Sequence, residues 1–140
     1  MNSVHRTLKP GMSFIEIIAV VAIMAILATA AMMFVGPKIE RSRRDTTMGS
    51  LQTLKTCITS FHLDTGAYPD QLEDLVERPI DERIAARWVQ YIENALPRDG
   101  WGNDFEYQKT PGAAHPYELY SHGTHGDEAP EEEYLSVWSV

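Results

Sequence analysis

Two hydrophobic patterns follow one another in the first half of the chain. Over the nineteen residues from Ile17 to Val35, Thr29 is the only one that is not clearly apolar. A segment apolar on every side suits lipid or the centre of an assembly better than water. At ~1.5 Å per residue it makes a helical rod of roughly 28 Å, close to the ~30 Å hydrocarbon core of a bilayer. Past Gly36, Pro37 and the charged stretch Lys38 to Asp45 the pattern narrows to Met48, Leu51, Leu54, Ile58 and Phe61. Offsets of three and four put these on one stripe, and Gln52, Thr53, Lys55, Thr56, Thr59 and Ser60 occupy the rest of the surface. The two patterns predict one long helix, ending at Gly66, where a left-handed turn costs glycine little. Pro37 removes one internal hydrogen bond and predicts a kink or local unwinding there.

The second half reads as short elements. Asp70 with Glu73 has capping-box spacing and predicts a short helix whose inner face is Leu72, Leu75 and Val76, stopped by Pro79. Asp81 to Asn94 predicts a second short helix or irregular turn with Ile84, Trp88, Tyr91 and Ile92 inward. Pro97, Gly100, Gly102, Pro111, Gly112 and Gly123 then punctuate three stretches of strand character, Phe105–Gln108, Tyr117–Tyr120 and Tyr134–Val140. So few strands form a small antiparallel sheet packed on the long helix, an α+β fold.

Charge is unevenly divided. Asp64 to Val140 carries 17 acidic and 5 basic side chains, while the stretch before it is net positive. An acidic domain argues against nucleic acid, whose phosphates are bound by Lys and Arg. Cys57 is the only cysteine, which excludes an internal disulfide.

Glu16 lies one turn inside the apolar run. A carboxylate in hydrocarbon costs ~2.5 kcal/mol or more, so such a residue is usually functional or paired. At the headgroup level the cost would be small, and both placements are open from composition alone. Met1 to Gly11 is a short polar leader whose fixed charges are Arg6 and Lys9, and the apolar run behind it lacks a good signal-peptidase exit. Gly11-Met12-Ser13-Phe14-Ile15-Glu16-Ile17-Ile18 resembles the N-terminus of type IV pilins and pseudopilins. That resemblance implies cleavage by a prepilin peptidase between Gly11 and Met12, N-methylation of Met12, and a Glu16 that pairs with the terminal amine of a neighbouring subunit during assembly. This chain departs from the family in having Met12 rather than Phe after the cut, Pro10 before the glycine, and a helix proline, Pro37, about one turn late.

The resemblance extends through Leu63-Asp64-Thr65-Gly66-Ala67-Tyr68-Pro69, Leu96-Pro97-Arg98-Asp99-Gly100-Trp101-Gly102-Asn103 and Pro116-Tyr117-Glu118-Leu119-Tyr120-Ser121. These stretches look like the protein G family of the general (type II) secretion pathway, the major pseudopilins. Implied are a type IV pilin-like fold and a division into leader 1–11, transmembrane and assembly helix 12–36, and periplasmic domain 37–140, of which 37–66 is the amphipathic half of the helix and 67–140 the globular part. Also implied is a non-enzymatic subunit that polymerises into a pseudopilus driving folded proteins across the outer membrane. Its partners are copies of itself, the prepilin peptidase, minor pseudopilins and the inner-membrane secretion platform. The leader would lie in the cytoplasm and the domain in the periplasm. A bare positive-inside count gives the reverse, because Lys38, Arg41, Arg43 and Arg44 outnumber Arg6 and Lys9.

The family's loop after the leucine-tyrosine-serine strand binds calcium. Here that would use the carbonyls of Leu119 and Ser121 with Asp127, Glu132 and Glu133, a set of hard oxygens suited to calcium. His125 stands where the family has an aspartate, and imidazole suits zinc, copper or nickel better. Three states are open: calcium held by those oxygens, an ion-free loop with His125 bonded to the acidic strand, or a transition metal on His122 and His125.

Two other functions compete. An adhesive or motile type IV pilin or a minor tip pseudopilin shares the architecture, but the former commonly carries a disulfide and the latter often lacks Glu16. A membrane-anchored metallohydrolase using His115, His122, His125 and Asp127 would leave the leader unexplained, and no spacing matches a catalytic zinc motif. Mass spectrometry of the chain expressed with a prepilin peptidase is expected to find N-methylated Met12 as the first residue; any other mature start contradicts the leader assignment.

Overall fold

The structure is a computed structural model that describes Gly11 and residues 13–139. Its first element, α1, runs from Phe14 to Thr65 over 52 residues. Gly66 ends it as expected, with φ 79° and its N–H donating to the His62 carbonyl at 2.8 Å. The helix passes through Pro37 without interruption, so of the kink or local unwinding expected there the unwinding is not found.

Contacts divide the chain into two compact units, one through Ile39 and one from Glu40. In the first, the described apolar side chains of α1 are exposed, from Ile17 at 41% to Phe14 at 81%. The same stretch is long and apolar enough to cross a membrane.

The second unit has its core on the predicted stripe. Leu51, Leu54, Ile58 and Phe61 are fully buried, and burial of each such side chain contributes ~1.5–3 kcal/mol. Against them pack Leu72, Leu75, Phe105, Tyr117, Leu119, Leu135 and Val137. The sheet is a three-stranded antiparallel meander of β1 (Glu106–Lys109), β2 (Tyr117–Ser121) and β3 (Leu135–Ser136). Its register sets Tyr107 opposite Leu119, and Ser121 opposite Leu135. β3 is shorter than the predicted 134–140 because the backbone turns after Ser136, where Ser139 N–H bonds back to the Ser136 carbonyl at 3.2 Å. Trp138 still anchors this end, donating from Nε1 to the Tyr117 carbonyl at 2.8 Å and lying under the Lys55 ammonium.

Between helix and sheet, Leu72–Leu75 is one 3-10 turn and Glu82–Ala85 a short helix, α2. The cap of the first differs from the expected Asp70–Glu73 pair. Asp74 takes that role, its Oδ2 accepting from the backbone N–H groups of Asp70 (2.9 Å) and Gln71 (3.2 Å). A 3-10 turn starting one residue later brings Asp74 rather than Glu73 over the free amides. α2 is capped by Asp81, which accepts from Arg83 N–H at 2.9 Å. Ile84, Trp88, Tyr91 and Ile92 all lie against the core.

Gly100 marks the closest approach of loop to helix. A Cβ there would fall on the Arg43 backbone, 2.6 Å from its Cα. Backbone cannot swing aside as a side chain can, so Gly100→Ala is expected to destabilise the domain by about 1–3 kcal/mol, the usual cost of overpacking. A lower denaturant midpoint with an unchanged slope would register this.

Candidate functional site

Two places carry the residues singled out in the sequence, and they belong to different units. The first is the start of α1. The Ser13 carbonyl accepts from the N–H groups of Glu16 (3.0 Å) and Ile17 (3.2 Å), opening the helix and setting Glu16 in its first turn. A carboxylate there is favoured by the free amides of the helix N-terminus. Phe14 and Ile15 around it are exposed. Gly11 is exposed as well, and Met12, on the other side of the expected cut, lies outside the described residues.

The second place is the connection from β2 to β3. It is supported from below by Asp99, which is 6% exposed. Asp99 Oδ1 accepts from the N–H groups of Trp101 (2.9 Å) and Asn103 (2.8 Å), and Oδ2 accepts the Ser121 hydroxyl at 2.7 Å. Ser121 Oγ in turn accepts from Gly123 N–H at 3.1 Å. The turn of residues 99–103 and the end of β2 thereby share one carboxylate. α1 holds the same turn from another side: the buried Thr47 hydroxyl accepts from Gly100 N–H at 2.8 Å and donates to the Arg43 carbonyl.

Above this support the connection folds as 3-10 turns at Gly123–Glu128 and Glu131–Glu133, reoriented at Gly126 with φ 57° and ψ −144°. Glu40 of α1 reaches two of its neighbours, accepting the Thr124 hydroxyl on Oε1 at 2.6 Å and Trp101 Nε1–H on Oε2 at 3.3 Å. His125 Nδ1 lies 2.9 Å from Glu133 Oε2; an ionised carboxylate only accepts, so the proton of this bond is on the imidazole. Glu40, Arg44, Trp101, Thr124, Glu132 and Glu133 line a cleft of about 360 Å³.

These contacts give the cleft its electrostatics. The Thr124 hydroxyl, helped by Trp101 and by Arg43 and Arg44, holds the Glu40 carboxyl below the usual glutamate value despite partial desolvation.

Two of the sequence-predicted metal ligands, the Leu119 carbonyl and the Glu133 carboxylate, have protein partners. The Leu119 carbonyl is taken up by Val137 N–H at 3.0 Å, extending the β2–β3 ladder. Glu133 is engaged by His125, Glu132 is exposed, and the Asp127 side chain lies outside the described part of the structure. Among the described residues no three His, Cys, Asp or Glu side chains gather to hold an ion. The histidines are separately occupied: His115 stacks on Trp138 at 4.3 Å, and His122 Nε2 lies 3.8 Å from Glu106.

Sequence reasoning missed Glu40, Thr47 and Thr124. The signal for the first two was present, because Phe61, Leu54, Thr47 and Glu40 are spaced by sevens. Seven residues make nearly two helical turns, so the core stripe continues backwards into two polar positions.

The sequence model of the family described as "Type II secretion system (T2SS), protein G" matches residues 35–139. The chain belongs to this family. It is 32% identical over 129 residues to the type II secretion system core protein G of Xanthomonas campestris pv. campestris, covering 89% of this chain and 85% of that protein. It also resembles the crystal structure of the major pseudopilin from the type 2 secretion system of enterohaemorrhagic Escherichia coli, with TM-score 0.62 and 27% identity over 76% of this chain and 95% of that one. The fold is therefore that of a type IV pilin-like pseudopilin, and the protein is a structural subunit of type II secretion rather than an enzyme.

The lowered Glu40 pKa has a definite sign. A carboxylate depressed by its folded partners stabilises the fold above the unfolded glutamate pKa, and that contribution is lost as pH falls through the lower folded value. In a carboxyl NMR titration Glu40 is expected below the ordinary ~4.3. Thr124→Val, which removes the main cause, should move it upward; an unchanged value would contradict the hydrogen-bond origin.

Proposed function

We propose that this pseudopilin waits in the inner membrane as a single-pass subunit, leader in the cytoplasm and domain in the periplasm, and then polymerises. The prepilin peptidase cuts between Gly11 and Met12 and methylates the new terminus. The exposed apolar half of α1 carries the reading: the first unit offers these side chains no cover of its own, so lipid covers them before assembly and copies of the same helix cover them afterwards. Stacking one patch against a different patch on the next copy generates an open filament.

Glu16 supplies registry in this scheme. Leaving the headgroup region with an unpaired carboxylate is costly, and a neighbour's terminal ammonium offsets that cost only when subunits are correctly aligned. The filament, begun with minor pseudopilins on the inner-membrane platform, pushes folded proteins through the outer membrane. Glu16→Ala is expected to leave cleavage and methylation intact while abolishing filaments by electron microscopy. Normal filaments from the variant would remove Glu16 from assembly.

A further inference from the structure

The fold family implies calcium in the β2–β3 connection, and the residues of this chain do not fit one. Calcium takes six to eight oxygen ligands in a flexible cage. Here an imidazole stands among the candidate ligands, already bonded to one of them, Glu133. A guanidinium, Arg44, lines the cleft together with Glu40, Glu132 and Glu133 and offsets part of their negative charge. Side chains already cross-link the connection. Glu40 joins α1 to the turn of residues 99–103 through Trp101 and to the loop through Thr124, and His125 joins the first 3-10 turn to Glu133 of the second.

We propose that this chain closes its β2–β3 connection without an ion, using Glu40 and the His125–Glu133 pair as the cross-links. The chemistry is complementary: a divalent ion gathers carboxylates by positive charge, whereas here a hydroxyl and an indole donate to the two oxygens of Glu40 and an imidazole donates to Glu133. Asp99 and Ser121 beneath the loop are internally satisfied, so the base on which it rests needs no ion either. This inference concerns the folded subunit and is independent of whether the chain assembles.

Glutamate-specific proteolysis of the full chain in detergent micelles tests it, since Glu128 and Glu131–Glu133 place cleavable bonds in the loop. The expected result is the same slow cleavage in millimolar calcium, in zinc and in a chelator, with cleavage about tenfold faster for Glu40→Ala and His125→Ala under all three conditions. Thr124→Val, which deletes one hydroxyl, should give the same direction if Glu40→Ala fails to fold. Overturning results are protection of the parent chain by calcium or zinc, or a rise of its Tm by roughly ten degrees or more at an ion concentration about a hundredfold above Kd. Variants cleaved no faster than the parent in chelator would overturn it equally.

Discussion

Everything in this subunit depends on one face of one helix. Seen at intervals of seven, α1 presents Phe61 and Leu54 to the core, Thr47 to a turn and Glu40 to two loops. The lower pair supplies area removed from water, and the upper pair supplies directional bonds to segments with little apolar surface of their own. Without that face the three-stranded sheet would lack a partner, because a sheet so small does not bury enough to stand alone. The contact of Gly100 with the Arg43 backbone belongs to the same face and fixes how closely the turn of residues 99–103 can approach.

N-terminal to Glu40 the same helix changes character. Its described apolar side chains are exposed all round, a condition tolerable only in lipid or in an assembly. The protein G family membership gives that surface a use, since a pseudopilin assembles into a filament and, in the proposed scheme, is stored in a membrane beforehand. Glu16 makes the transfer selective in the proposed scheme, because burying it alone is unfavourable and burying it against an opposite charge is much less so.

Much of this was legible in the sequence. Apolar length, the stripe from Met48 to Phe61 and the stop at Gly66 are local signals with few competing solutions, and α1 follows them. The strands were located to within a residue or so at β1 and β2, where alternation is clear, and overextended at β3, where apolar residues continue past the ladder into a turn held by Ser136. The cap at Asp70 was misplaced because Asp70, Glu73 and Asp74 offer nearly the same spacing, and only the 3-10 geometry decides among them. The loop was least legible. A run of acids suggests a cation, but the bond that ties the loop to α1, from Thr124 to Glu40, joins residues 84 positions apart. Such pairing is set by tertiary contact, and only the heptad continuation of the core stripe hinted that Glu40 faced inward.

The most direct test of the account is a near-atomic electron cryomicroscopy map of filaments assembled from the full chain. The account predicts Phe14–Val35 of neighbouring copies packed together in the filament interior, with the Glu16 carboxylate in ion-pair contact with the terminal amine of Met12 on an adjacent subunit. Filaments held together by the acidic domains alone, with the apolar helices facing outward or Glu16 facing solvent, would contradict it.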